Sequence, residues 1–402
     1  MQERKVTSMK KLSLCLLSFI LLACSNIVIE PNVKEPIKEP VNDPIELQPE
    51  TSVHFVGVGD NLIHQTIYED ADRLNGEIGD GLYDFEAMYE DVKEDVKQAD
   101  LAFINQETIL GGDALGLSGY PTFNSPEILA TQLTNFGFNM INHATNHSLD
   151  KYETGVLNCI NNWRNQKGIV MSGIFDSQED RDTIRVIEKK GIRFAFLAYT
   201  YGTNGISPYA DYAVAYLDSD KIKSDVEKAK AISDVIIVSA HWGNENQFEA
   251  SSYQKDYARL FADLGVDVVI GTHPHVIQPV EWLKGTEGNN TLVVYSLGNF
   301  IGGMLGMYNN LSGMISFDFV KQTDSGKITI ESVKWNPLIS HYQGDANNIL
   351  EVRSGYKVIK LKNYTDELAA QHGLNGVDGQ TITRQGFIDK TNEVIQEIEI
   401  DR

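Results

Sequence analysis

From Val53 onward, short apolar runs alternate with longer stretches in which apolar positions recur at helical spacing. The short runs predict strands at Val53–Val58, Leu101–Ile104, Phe138–Ile141, Ile192–Ala198, Val235–Ser239, Val266–Ile270 and Leu292–Tyr295. The longer stretches predict helices at Asp84–Gln98, Pro126–Asn135, Thr154–Gln166, Ser219–Ile232 and Tyr253–Leu264. Strands spaced by helices indicate an α/β domain, and β-branched, nearly continuous apolar runs fit strands buried on both faces. Past Gly302 the pattern changes. Met314–Val320 and Lys327–Lys334 flank Thr323-Asp324-Ser325-Gly326, a hairpin signal, and a charged helical stretch closes the chain near Thr391–Ile400. Gly302-Gly303 reads as a flexible exit from the domain.

The N-terminal segment has a different character. Arg4, Lys5, Lys10 and Lys11 form a positive start that precedes an uncharged apolar run of twelve residues, Leu12 to Ala23. That run is too short for a bilayer-spanning helix and fits the apolar region of a signal peptide. It ends in Leu21-Leu22-Ala23-Cys24, which resembles the bacterial lipobox. The resemblance implies cleavage before Cys24, acylation of its sulfur, and residence at the cell membrane, lipid-anchored and extracytoplasmic. An ordinary signal peptide with an incidental cysteine is the other reading. Residues 25–50 then hold five of the chain's eleven prolines in a loose Glu-Pro rhythm, which predicts a stiff, solvated spacer. The expected organisation is a signal peptide over 1–23, a lipidated Cys24 and Pro-rich spacer over 24–50, a folded domain over 51–304, and an extension over 305–402 that packs on the same domain.

Composition narrows the partners. Across 402 residues, 34 Lys plus Arg against 56 Asp plus Glu give a net charge of −22, and 42% hydrophobic residues can build a large core. Removing residues 1–23 takes away four cations and Glu3, so 30 against 55 leaves −25. Such an excess of negative charge argues against nucleic acid, whose phosphates need a basic face. Of three cysteines, Cys15 leaves with the signal and Cys24 carries the lipid. Cys159 alone remains, and it cannot form an intramolecular disulfide.

Polar residues gather just past the predicted strands, where α/β folds build sites. Gly59-Asp60-Asn61 follows the first, Asn105-Gln106-Glu107 the second, and Asn142-His143-Ala144-Thr145-Asn146-His147-Ser148-Leu149-Asp150 the third. His241-Trp242-Gly243-Asn244-Glu245, Gly271-Thr272-His273-Pro274-His275 and Ser296-Leu297-Gly298-Asn299-Phe300 follow later strands. Five of nine histidines occupy these positions: His143, His147, His241, His273 and His275. For any one of them a core role is the plainer reading, but the constellation points to metal. Imidazole with carboxylate suits divalent manganese, iron or zinc, and one remaining thiol excludes a thiolate site. The His-x-His pair after a strand offers alternate residues to two ions, or to two sides of one.

The order Asp, acidic residue, Asn-His, His, His-x-His resembles the metal-dependent, calcineurin-like phosphoesterase superfamily. More closely it resembles the CapA type of poly-γ-glutamate capsule synthesis protein. The residues that carry this are Gly59-Asp60, Asn105-x-Glu107, Asn146-His147-x-x-Asp150, His241-Trp242-Gly243-x-Glu245, Gly271-x-His273-Pro274-His275-Val276-x-Gln278 and Tyr295-Ser296-Leu297-Gly298-Asn299-Phe300. They span about residues 53–304. The resemblance implies a sandwich of two mixed β-sheets flanked by helices, with a β-containing C-terminal extension and two divalent ions. It also implies roles: Asp60 and His275 on the first metal, Glu107 bridging, and Asn146, His241 and His273 on the second. His147 is the implied acid for a leaving group. Asp150 either fixes its tautomer or caps the helix that follows.

Two departures stand out against the superfamily pattern. Leu62 occupies the place of a histidine two residues after the aspartate, with His64 two further on. Asn105-Gln106-Glu107 replaces the usual Gly-Asp. Both fall on the first-metal and bridging positions, so a weakened first site is expected. Asn105, Trp242, Glu245 and Asn299 are candidate substrate contacts. Trp242 is equally a packed aromatic, Glu245 an orienting group for His241 or a surface carboxylate, and Asn299 a turn cap. Three functions follow: a membrane-anchored capsule factor working with capsule-synthesis membrane proteins and poly-γ-glutamate, an extracytoplasmic metal-dependent phosphoesterase without a capsule link, or a non-catalytic scaffold of the same fold.

Overall fold

The computed structural model describes residues 51–401; the proposed signal peptide, Cys24 and the proline-rich spacer lie outside them. Fourteen strands alternate with nine α-helices among these residues. The strands are β1 Thr51–Asn61, β2 Leu101–Gln106, β3 Met140–Asn142, β4 Val170–Ser172, β5 Arg185–Lys189, β6 Ile192–Thr200 and β7 Val235–His241. They continue as β8 Val268–Thr272, β9 Val280–Lys284, β10 Asn290–Val294, β11 Leu311–Lys321, β12 Ile328–Gly344, β13 Arg353–Lys360 and β14 Glu399–Ile400. The helices are α1 Gln65–Asn75, α2 Lys93–Gln98, α3 Ile128–Phe136, α4 Tyr152–Arg164 and α5 Gln178–Asp182. After these come α6 Ser219–Lys230, α7 Ser252–Asp263, α8 Asp366–Gln371 and α9 Arg384–Val394.

The strands form two mixed sheets. One runs β13-β12-β11-β1-β2-β3-β4, with β14 beside β12; the other runs β5-β6-β7-β8-β10-β9. In the first sheet β1 to β4 are mutually parallel while β11, β12 and β13 are antiparallel to their neighbours. In the second, β6, β7, β8 and β10 are parallel, with antiparallel edges at β5 and β9. This is the α/β architecture of two mixed sheets flanked by helices that the resemblance implied.

Strand β6 explains why the sheets stack. Side chains alternate across a strand, so Phe194, Phe196 and Ala198 face the first sheet while Ala195, Leu197 and Tyr199 face α6 and α7. Phe194 meets Phe319 at 5.0 Å and Phe196 meets Phe103 edge-on at 6.0 Å between ring centroids, which closes the inter-sheet core. The outer helices are set by their caps. Asp218 accepts from the Asp220 and Lys221 amides at the start of α6, and Ser251 with Gln254 forms a reciprocal capping box on α7.

The structure corrects the sequence reading in three places. The helix expected over Asp84–Gln98 is a tighter 3-10 coil, Glu86–Val92, followed by the short α2. The Asp91 carboxylate within that coil accepts the Lys360 amide at 2.7 Å, which ties it to β13. The closing stretch is helical only to Val394; Glu399 and Ile400 instead pair with Lys334 and Trp335. Finally, Gly302-Gly303 is not an exit. The Gly303 amide donates to His64 Nδ1 at 3.0 Å, and a Cβ there would fall 2.9 Å from the His64 ring, so the chain passes tightly over α1's start. The segment beyond it returns as β11, hydrogen-bonded directly to β1.

Candidate metal centre

The parallel strands of both sheets end at one place, and their last residues meet there. Between Val58 and Asp60 the β1–β2 register slips by one residue, a bulge at Gly59 that re-aims Asp60. Gly59 is required: a Cβ would sit 1.9 Å from the Gly298 carbonyl oxygen, which accepts the Asp60 amide at 2.9 Å. Asn105, beside Asp60 in register, donates through Nδ2 to Asp60 Oδ1 at 2.7 Å and accepts from Asn142 Nδ2 at 2.6 Å. From the second sheet, His241 closes β7 with Nδ1 2.9 Å from Thr272 Oγ1, its register partner on β8.

His273 and His275 follow β8, as the sequence reading placed them after a strand. They lie past β8, at φ of 94° and 57°, backbone that side chains other than glycine seldom adopt. The turn, not strand alternation, brings their rings to 5.6 Å between centroids.

These residues converge on Glu107. Its Oε1 lies 3.6 Å from His275 Nε2 and 3.8 Å from His241 Nε2, yet neither carboxylate oxygen has a hydrogen-bond partner among the described residues. His275 Nδ1 sits 3.1 Å from Asp60 Oδ2 and 2.9 Å from Asn299 Oδ1. His241 Nε2 is 2.9 Å from Asn146 Oδ1, and His273 Nδ1 has no partner among the described residues. Two overlapping groups bring ligand atoms within 4.8 Å of one another: Glu107 with His273 and His275, and Asp60 with Glu107 and His241. Either could hold a metal ion, and Glu107 belongs to both.

The electrostatics have the same sense. Burial holds His241 and His273 well below the usual imidazole range, aided by neighbouring imidazoles, so both keep free lone pairs at neutral pH. Burial raises Glu107 well above the ordinary carboxylate range. At His275 burial opposes the cation, but the Glu107 and Asp60 carboxylates outweigh it and raise that ring to about 10. Buried carboxyl oxygens without hydrogen-bond partners, beside the neutral imidazoles of His241 and His273 and balanced only by His275, form a donor set that a divalent cation fits.

Beside the cluster, His147 Nδ1 lies 2.7 Å from Asp150 Oδ2, which also accepts the Phe123 amide at 2.7 Å. Helix α4 starts without a side-chain cap, so of the two roles open to Asp150 the geometry selects orientation of His147. Three neighbours escaped the sequence reading. The Tyr201 ring lies tilted 4.6 Å from the His273 ring, Asn204 Oδ1 accepts from Asn146 Nδ2 at 3.3 Å, and the Phe123 ring meets His147 edge-on at 4.7 Å. Only the position of Tyr201 and Asn204 just after β6, a strand end like the others, signalled them.

Other candidates fall away from the cluster. His143 is core: its Nε2 accepts the Trp163 indole N–H at 2.7 Å, and burial lowers its pKa to about 3. Trp242 is fully buried against Tyr295 and Phe261 with its N–H on the Tyr295 carbonyl, so it is the packed aromatic and cannot stack on a substrate. Glu245 does not orient His241, whose two nitrogens face Thr272 and Asn146; it stands exposed. Asn105 and Asn299 are fully buried and hold Asp60 and His275 rather than facing outward or capping a turn. Leu62 is core, and His64 does not take its place: the Gly303 amide occupies its Nδ1 and its ring rests on Phe123 at 5.2 Å.

The chain matches the family described as bacterial capsule synthesis protein PGA_cap over residues 54–304. It is 27% identical over 171 residues to the PGA biosynthesis protein CapA of Bacillus subtilis (strain 168), covering 42% of this chain and 44% of that protein. It is 28% identical over 171 residues to the capsule biosynthesis protein CapA of Bacillus anthracis, covering 41% of this chain and 40% of that one. These matches thus span less than half the length of either relative. Among solved structures, the chain is similar to the calcineurin-like phosphoesterase YfkN from Bacillus subtilis, with a TM-score of 0.42 and 12% identity over 86% of this chain and 100% of that one. A phosphatase from Mycoplasma pneumoniae gives 0.44 and 13% over 72% and 95%. With more than half of its length matched by the family and the strand-end motifs inside the matched region, the chain belongs to the PGA_cap family of bacterial capsule synthesis proteins.

Proposed function

We propose that this protein is a membrane-anchored, extracytoplasmic factor supporting poly-γ-glutamate capsule synthesis or export through a divalent-metal centre. The observation that carries the reading is the pair of unpartnered Glu107 oxygens between His241 and His275. Glu107 would serve both ions, one beside Asp60 and His241 and the other beside His273 and His275, whereas the resemblance pairs Asp60 with His275 and Asn146 with His241 and His273. Nitrogen and carboxylate donors suit manganese, iron or zinc. When bound, such ions polarise a phosphoryl oxygen and activate water.

The chain's own residues supply the rest. Asp150 fixes which His147 nitrogen carries a proton, and Phe123 keeps that ring edge-on. His147 is thereby poised to protonate a leaving oxygen, which favours as a second reading a phosphoesterase without a capsule link. A purely structural scaffold leaves the Glu107 oxygens unexplained. Acylation at Cys24 would supply the membrane tether, with capsule-synthesis membrane proteins and poly-γ-glutamate as partners.

Elemental analysis of the purified full chain tests the centre. Bound transition metal is expected, with loss in His241→Ala and His273→Ala while both stay folded; full occupancy in either variant removes that residue from the site. The tether is tested by fractionation. Cys24→Ala should leave the membrane fraction, and retention at the wild-type level counts against the lipid.

A further inference from the structure

Arg353 is an arginine with a missing partner. It is 7% exposed, and a guanidinium that deep is ordinarily paired with a carboxylate. Among the described residues it makes no ion pair. One Nη donates to the Gly303 carbonyl, the guanidinium lies 5.5 Å over the Tyr342 ring, and Nε is buried with no hydrogen-bond partner. The same side chain lines a cavity of about 540 Å³. Thr66 and Gln65, at the start of α1, line it too, and His64 ahead of them gives the helix no side-chain cap. The positive end of a helix therefore shares the cavity with an unpaired cation.

We propose that this cavity binds an anionic group, a carboxylate or a phosphoryl, on the substrate of the neighbouring metal centre. The inference rests on the proposed function only for that neighbour. His64 lines the cavity, its ring lies 5.2 Å from Phe123, and Phe123 lies 4.7 Å from His147. One aromatic ring thus separates the anion pocket from the proposed proton donor. The planar fork of Arg353 suits a two-oxygen group better than a lysine would. Glu69 and Glu351 also line the cavity, and they restrict it to one anionic group and disfavour a dense run of negative charge. Tyr120 and Leu350, 78% and 68% exposed, add apolar surface for the uncharged part of the ligand.

Calorimetric titration of the full chain, as purified, with a γ-linked glutamate tetramer and separately with inorganic phosphate tests this. Arg353→Gln should weaken binding of at least one probe by roughly ten- to hundredfold. Metal content should not change, which separates this result from any failure of the metal reading. Loss confined to the tetramer identifies a carboxylate ligand, and loss confined to phosphate a phosphoryl ligand. Glu351→Gln and Glu69→Gln, at the rim, should tighten binding and serve as the test if Arg353→Gln does not fold. Wild-type affinities for both probes in a folded Arg353→Gln, or in both rim variants, overturn the assignment.

Discussion

Asp150 and His147 are held together at 2.7 Å by a carboxylate that also secures the Phe123 amide, so one side chain fixes both the imidazole and the ring packed against it. That coupling makes Asp150 a positioning residue whose loss should act through His147. Asp150→Asn keeps an oxygen acceptor but adds an amide donor, so the orientation of the ring is no longer fixed. If the chain hydrolyses phosphoesters, His147→Ala should lower kcat by about 10²–10⁴-fold. Asp150→Asn should lower it less while leaving KM unchanged, with metal content intact in both. A wild-type kcat in Asp150→Asn would break the link.

Glu107 should behave oppositely with and without metal. Glu107→Gln removes the ligand shared by both groups, so bound metal should fall at both sites. In chelator, however, the same change relieves a buried carboxylate that has no partner, and the variant should be more stable than wild type by about 1–3 kcal/mol. Urea unfolding with and without chelator measures both arms. A destabilised Glu107→Gln in chelator contradicts the account of the orphaned oxygens.

Gly59→Ala should be among the most damaging single-atom changes in the chain. The new Cβ meets the Gly298 carbonyl oxygen at 1.9 Å, and backbone on both sides has to move. A loss of about 2–4 kcal/mol is expected, together with displaced Asp60 and weakened metal binding. Thermal melts and elemental analysis read the two effects, and a fully stable, fully loaded Gly59→Ala would show that the bulge is soft.

A second buried histidine pair, remote in sequence from most of the candidate ligands, should add to the acid sensitivity that His143, His241 and His273 also give the fold. His341 meets Tyr364 Oη through Nδ1 at 3.1 Å, and His372 packs 5.3 Å from it. Burial lowers them to about 4 and about 3. The unfolded chain takes up protons near pH 6.5 while the folded chain refuses them, so stability falls as pH drops from about 6.5 towards 4. The slope is up to about 1.4 kcal/mol per pH unit for each ring. His341→Gln should flatten it in urea titrations between pH 5 and 7.5. An unaltered slope would assign the acid sensitivity elsewhere.

The strands that carry ligands were legible because they are buried on both faces: Val53–Val58 lies within β1, Leu101–Ile104 within β2 and Val235–Ser239 within β7. Short or edge elements were not. β4 has three residues, β5 reads Arg-Val-Ile-Glu-Lys, and β9 at the far edge reads Val-Glu-Trp-Leu-Lys. Hydrophobic pattern says little where one face meets solvent. At the site, residue types were readable but orientations were not. Nothing in Gly-Thr-His-Pro-His announces two positive φ angles, and Asn299 or Trp242 look alike in sequence whether they face inward or outward. Asp150, three residues on, was legible as a partner of His147, but Phe123 and Asn204 come from distant loops and only tertiary contact reveals them.

Strand β11 lies between β1 and β12, and Asp60 sits on β1. During synthesis, Asp60 therefore waits for residues 311–321 before its sheet can close. Pairing over such a sequence distance is slow to form, and until it does the edge of β1 is open to the wrong neighbours. The chain's tail is thus part of its assembly schedule. Deletions far downstream of the histidines would be felt first as failed maturation and aggregation, well before they were felt as altered chemistry.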